Sequence, residues 1–214
     1  VKACISSLKK LNRQVIVLTK DNIREYVHLP DYIWEKYEKG MICLAHFSDI
    51  VRVYLLAMYG GTWADSTVYI ATSVPEYMIE SYFVFKQSPQ LRDVRSYGNW
   101  WISAPAGHEI IVRCLAALLV YWKNEDAAYH YYIFHILWKK ILDEHKELQK
   151  ITDRITDRIT DSTHLLMRRY GCMFDENEWN KIKGISPVFK CTYKAKGVGH
   201  LDTYYMKLCM ETLP

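Results

Sequence analysis

Disulfide frameworks, zinc spacings and membrane-length apolar runs are all missing from this sequence. Six cysteines (Cys4, Cys43, Cys114, Cys172, Cys191 and Cys209) are scattered, with no Cys-x-x-Cys pair among them. A chain of 214 residues needs no covalent staples to hold a core, so reduced thiols in a cytoplasmic setting are expected. The longest apolar run, Cys114 to Trp122, has nine residues, well short of the roughly 18 that a spanning helix requires. Any membrane contact is therefore expected to be peripheral. The chain opens at Val1 on "VKACISSLKK", which patterns as a helix and not as a secretory leader. No Gly-x-x-x-x-Gly-Lys phosphate loop, dinucleotide fingerprint or Gly-x-Ser-x-Gly elbow occurs. No basic stripe occurs either, which speaks against a nucleic-acid partner.

What is present is globular. Half the residues are apolar, 24% are charged and the net charge is a mild +4, compatible with an anionic ligand without demanding one. The 17 tyrosines and 7 tryptophans suit either sugar stacking or a ring-rich core. Short β-branched runs alternate with helical patterns up to residue 108: "RQVIVLT", "STVYIATSV", "YFVFKQS" and "GNWWISAPAGH" as strands, with helices between them. From Glu109 onward the pattern is mostly helical, with helices expected over Glu109–Lys123 and Tyr129–Lys150. The fold class is therefore α/β, a single domain over 1–214 with an α/β part at 1–108 and a mainly helical part at 109–214. The repeat "ITDRITDRITDS" at 151–162 reads as a charged helical connector, because a four-residue step keeps Ile151, Ile155 and Ile159 on one drifting stripe.

The chemistry concentrates in "SDIVRVYLLAMYGGTWADST", Ser48 to Thr67. Ser48 is expected to cap a helix that is apolar nearly all round, with Asp49 in its first turn. Arg52 then falls where a lone guanidinium would cost several kcal/mol, about one turn from Asp49. Gly60-Gly61 is expected to end the helix and turn the chain sharply. The following strand would place Trp63, Asp65, Thr67 and Tyr69 on one face. Read alone, Asp49–Arg52 is a buried structural pair. Together with the glycines and the acid at Asp65, it suggests a pocket for a diphosphate and a metal ion.

The string "HFSDIVRVYLLAMYGGTWADSTVYIAT" resembles the capsular polysaccharide synthesis glycosyltransferases, close to the family 32 sugar transferases with an Asp-x-Asp motif. The shared pattern is Ser-Asp-x-x-Arg, an apolar helix, Tyr-Gly-Gly-x-Trp-x-Asp, then a small hydroxyl residue and a strand. Weaker likeness extends over "YYIFHILW", "THLL", "EWNKIKGISPVFKCTYK" and "LDTYYMKL". The resemblance implies a GT-A type fold with a Rossmann-like mixed sheet and helices on both faces. It also implies a retaining transfer from a nucleotide-sugar, a UDP-sugar in the first instance, to a glycan or lipid-linked acceptor. Carried over by position, Asp49 and Arg52 hold the nucleotide-sugar, and Asp65 binds ribose, diphosphate and Mn²⁺ or Mg²⁺. Thr67 stands where the motif's second acid would be, a far weaker metal ligand than a carboxylate. The strand that opens such folds has no counterpart before Val1, so the first strand is expected to be missing from this chain.

Within that frame the expected catalytic residues are Asp65 and Arg52, and the metal ligands Asp65 and Thr67. The nucleotide-sugar ligands are Asp49, Arg52, Trp63, Asp65 and Lys194. Lys194 is the first choice among the basic candidates Lys190, Lys194, Lys196 and His200, which are read as one closing loop. Asn99 and Trp100 are expected on the acceptor side, while His130, His135, Tyr131 and Tyr132 are read as packing. Two other functions fit the same residues: a non-catalytic descendant that binds nucleotide-sugar or glycan, and a peripheral membrane scaffold with an aromatic surface.

Overall fold

The computed structural model describes residues 1–86, 97–155, 160–194 and 202–210. In chain order its elements are α1 (Lys2–Lys9), α2 (Ile23–Tyr26), α3 (Asp31–Glu38), α4 (Leu44–Tyr59), β1 (Gly61–Ala64) and β2 (Val68–Ile70). A 3₁₀ turn (Glu76–Met78) leads to β3 (Phe83–Lys86), β4 (Tyr97–Ala104), α5 (Glu109–Asn124), α6 (Ile133–Glu144) and α7 (Lys146–Asp153). The remainder is α8 (Thr160–Thr163), α9 (Leu165–Arg168), α10 (Glu176–Ile185), β5 (Val188–Lys190) and α11 (Tyr204–Met210). The described residues form a mixed α/β structure with two small sheets, ordered β1-β4-β3 and β2-β5. The β3–β4 and β2–β5 pairs are antiparallel.

Two compact units interleave in sequence, one built from residues 18–63 and 76–157, the other from 1–17, 64–75 and 158–214. The larger unit packs α5 against both α4 and α6. Ile50, Val53 and Leu56 of α4 lie in one apolar cluster with Ile110, Cys114 and Leu118 of α5 and Phe134 and Trp138 of α6. That is the result expected of helices spaced apolar at three and four residues. On β4 the side chains of Trp101 and Ser103 both donate to the Met78 carbonyl, at 3.1 and 2.5 Å, which ties the strand to the 3₁₀ turn.

The smaller unit gathers Cys4, Tyr69, Leu166, Trp179, Phe189 and Tyr204 around the β2–β5 pair. In α1 the buried Ser7 hydroxyl donates to the Cys4 carbonyl (2.7 Å) and accepts from the Ile70 amide (2.9 Å), so helix and strand share one polar link. Asp175 caps α10 by accepting from the Glu178 amide at 2.7 Å. Asp175→Ala should therefore cost about 1 kcal/mol, read as a lower urea midpoint with an unchanged slope.

Several sequence expectations need correction. Arg13–Thr19 forms no strand, although its β-branched run suggested one. Propensity alone does not hold a strand. The long helix expected over Tyr129–Lys150 is two helices, α6 and α7, parted at His145. α7 stops at Asp153, with Arg154 as its cap, so the helix does not continue through the described part of the repeat. Residues 156–159 of that repeat lie outside the described residues. All six cysteines are free thiols. No helix among the described residues is long and apolar enough to cross a membrane.

Candidate functional site

α4 begins at Leu44, capped at Cys43, four residues upstream of Ser48. Ser48 is therefore not the cap, and Asp49 stands in the second turn instead of the first. The reason is that His46 and Phe47 are buried with the rest of the helix, so packing extends it past the residue best suited to start it. Asp49 and Arg52 face each other at i,i+3 spacing as a buried ion pair, their side chains 11% and 5% exposed. Asn99 on β4 donates to the same Asp49 oxygen at 2.9 Å, and Arg52 Nη2 reaches the Ser48 hydroxyl at 3.4 Å. The guanidinium also lies against two rings, 5.3 Å from the Trp63 centroid and 5.8 Å from that of Phe134. Burial pushes the Cys114 thiol far above its ordinary range; the Asp49 carboxylate adds to that rise and Arg52 offsets part of it. Cys114 thus lies within electrostatic reach of the pair as an inert neutral thiol.

The four residues Asp49, Arg52, Trp63 and Asn99 are brought together in the larger unit, with Asn99, the residue expected on the acceptor side, contributed by β4. Its neighbour Trp100 is buried and stacks on Phe85 with ring centroids 4.6 Å apart and planes 15° apart. Trp101 is buried too, so both indoles are committed to the core. Neither presents an outward face for a sugar.

Asp65 and Thr67 belong to the smaller unit. They do not lie in a strand: β1 ends at Ala64, β2 begins at Val68, and the Val68 amide donates to the Asp65 carbonyl at 2.9 Å. An Asp-Ser pair favours such a turn, because both side chains compete for backbone hydrogen bonds. The alternation expected from Trp63 to Tyr69 is broken there. The Asp65 carboxylate accepts from Lys190 Nζ at 2.7 Å, and the Thr67 hydroxyl accepts from the same nitrogen at 2.6 Å. Lys190 is the last residue of β5 and is not part of a loop. Lys194 is exposed, its ammonium 5.6 Å from the Tyr193 ring centroid. Lys196 and His200 lie outside the described residues.

A family model of capsular polysaccharide synthesis proteins matches residues 1–208. The chain belongs to that family. No curated protein and no solved structure gives a significant match to it.

The Asp-x-Asp reading of the sequence would put a divalent cation on Asp65 and Thr67, and the residues present are a poor fit for one. Hard cations take six or more oxygen ligands, led by carboxylates. Here one carboxylate and one hydroxyl are in place, and both already contact an ammonium. Among the described residues, no group of three or more His, Cys, Asp or Glu side chains is arranged to hold a metal ion.

Two further partners, Asn99 on Asp49 and Lys190 on Asp65, carry no local sequence signal. Asn99 lies 50 positions from Asp49 and Lys190 lies 125 positions from Asp65. Both contacts arise from strand placement, which residue spacing does not encode. Lys190 was singled out only as one basic residue among several.

Proposed function

We propose that this member of the capsular polysaccharide synthesis family is a glycosyltransferase. It moves a sugar from a nucleotide-sugar, a UDP-sugar in the first instance, to a glycan or lipid-linked acceptor on the cytoplasmic side of capsule assembly. The observation that carries the reading is the buried Asp49–Arg52 pair, bonded to Asn99 and flanked by Trp63. A purely structural ion pair in an apolar helix is often no better than two apolar residues of the same volume. A preorganised carboxylate, guanidinium and amide beside an indole match the hydroxyls and charge of a nucleotide-sugar. In this role Asp49 accepts from sugar hydroxyls, while Arg52 orients the donor and stabilises charge that builds on the leaving diphosphate. A GT-A type, Rossmann-like arrangement and a retaining outcome form part of the same reading.

The test is calorimetric titration of UDP and UDP-glucose into wild type and Asp49→Asn, with circular dichroism to establish folding. Wild type should bind both ligands. The folded variant should bind UDP-glucose at least tenfold more weakly, a change of about 1.4 kcal/mol. If wild type binds neither, the UDP-sugar reading fails.

A second reading is a non-catalytic descendant that binds nucleotide-sugar without transfer. Thr67 at the second acid of the motif favours it, since the neutral hydroxyl gives up a metal ligand. Binding of every donor with turnover of none is the result that selects this reading.

A further inference from the structure

We propose that Lys190 is a diphosphate-binding residue, its ammonium standing where a divalent cation would otherwise bridge Asp65 and Thr67. This rests on the reading of the donor as a nucleoside diphosphate sugar, and it removes the need for a metal at Asp65.

The geometry makes the case in three steps. One nitrogen, Lys190 Nζ, donates to Asp65 Oδ2 at 2.7 Å and to Thr67 Oγ1 at 2.6 Å. These oxygens belong to the two residues that the Asp-x-Asp reading of the sequence assigns to the cation. A Mg²⁺ bridging them from the same side, about 2.1 Å from each, would lie against the ammonium and meet a like charge. Ammonium and metal are therefore alternatives at this place.

Lys190 is also held, not tethered loosely. It pairs with Val68 in the antiparallel β2–β5 ladder, and the next residue, Cys191, donates its amide to the Thr67 carbonyl at 2.8 Å. The lysine backbone is thereby fixed beside the Asp65–Val68 turn, in contrast to Lys194. A preorganised ammonium loses less entropy on meeting a ligand than a free surface lysine does.

The donors are of the right kind as well. An ammonium has three N–H groups, and Asp65 and Thr67 take two. A hydroxyl that accepts from Lys190 keeps its own proton to donate, so Thr67 adds a second donor next to the charge. The Lys190 and Asp65 side chains are 21% and 24% exposed, so the pair is neither sealed in the core nor fully solvated. Charge-assisted donors in such surroundings suit phosphate oxygens.

Two measurements on the full chain test this. Inorganic pyrophosphate is titrated calorimetrically in EDTA into wild type, Lys190→Met and Lys190→Arg. Free Mn²⁺ is then followed by electron paramagnetic resonance as wild type is added without nucleotide. The expected results are pyrophosphate binding in EDTA, at least tenfold weaker in Lys190→Met and within threefold of wild type in Lys190→Arg, with no uptake of Mn²⁺. Stoichiometric Mn²⁺ uptake by wild type overturns the proposal. So does a Lys190→Met chain that binds pyrophosphate like wild type, or a wild type that does not bind it in EDTA. The Mn²⁺ measurement needs no variant, so it decides even where a substitution fails to fold. Pyrophosphate binding without UDP binding would instead sink the nucleotide-sugar reading and leave the role of Lys190 standing.

Discussion

Arg52→Met is expected to destabilise the protein by about 3–5 kcal/mol, the range for removing one partner of a buried ion pair. The loss comes less from the missing attraction than from what remains. Asp49, only 11% exposed at its side chain, would keep the Asn99 bond but lose the positive charge that offsets its desolvation. Domains of this size hold about 5–15 kcal/mol in all, so the variant should unfold at a much lower urea concentration. Removing both charges should be milder. In Arg52→Met/Asp49→Leu no carboxylate is left buried, and much of the stability should return. The four corners of that cycle, measured by urea unfolding, give the coupling directly. A cost below about 1 kcal/mol for Arg52→Met would mean that the pair is solvated in the working protein.

Gly60→Ala is the second large effect. Gly60 caps α4 with φ of +69° and ψ of −160°, a region that essentially only glycine occupies. This is not the left-handed cap expected for Gly60-Gly61 but a more extended conformation. A Cβ added there would lie 2.5 Å from the Ala106 amide nitrogen and 3.1 Å from the Ala104 carbonyl oxygen, both backbone atoms that cannot turn aside. Strain and forced backbone movement together should cost about 3–5 kcal/mol. Gly61→Ala is the matched comparison. Its φ is +90°, but a Cβ there meets nothing within 4 Å, so strain alone acts and the loss should be about 1–3 kcal/mol. Equal losses in the two variants, measured by urea unfolding, would show that the approach of Gly60 to the Ala104–Ala106 backbone does not matter.

The elements that could be read in the sequence were those whose pattern and packing agree. Glu109–Lys123 is apolar at helical spacing and is buried along one side, so α5 ends within one residue of expectation. Gly98–Ala104 holds a short apolar run bounded by turn residues, and it lies in β4, buried along most of its length. Failures came where a local preference met a tertiary constraint. Ser48 has a capping side chain, yet the burial of His46 and Phe47 carries α4 past it. Asp65 and Thr67 keep strand periodicity in the string, yet a turn intervenes. The buried pair itself was legible, because an arginine in an all-apolar helix has few stable outcomes besides a nearby acid. Its third member, Asn99, and the lysine on Asp65 were not, since each depends on which strand passes the site.

Donor turnover is the measurement that bears most directly on the central claim. Each of a set of UDP-, GDP- and dTDP-sugars is incubated with the folded chain, in EDTA and in Mn²⁺, and followed by ¹H and ³¹P nuclear magnetic resonance. Release of the nucleoside diphosphate from at least one donor is expected, with the freed or transferred sugar first seen in the donor's own anomeric configuration. That release should be lost in Arg52→Lys, because a lysine cannot reproduce the fixed fork of the guanidinium. A chain that binds a nucleotide-sugar yet consumes none, under either condition, contradicts the transferase and leaves a binding protein in its place.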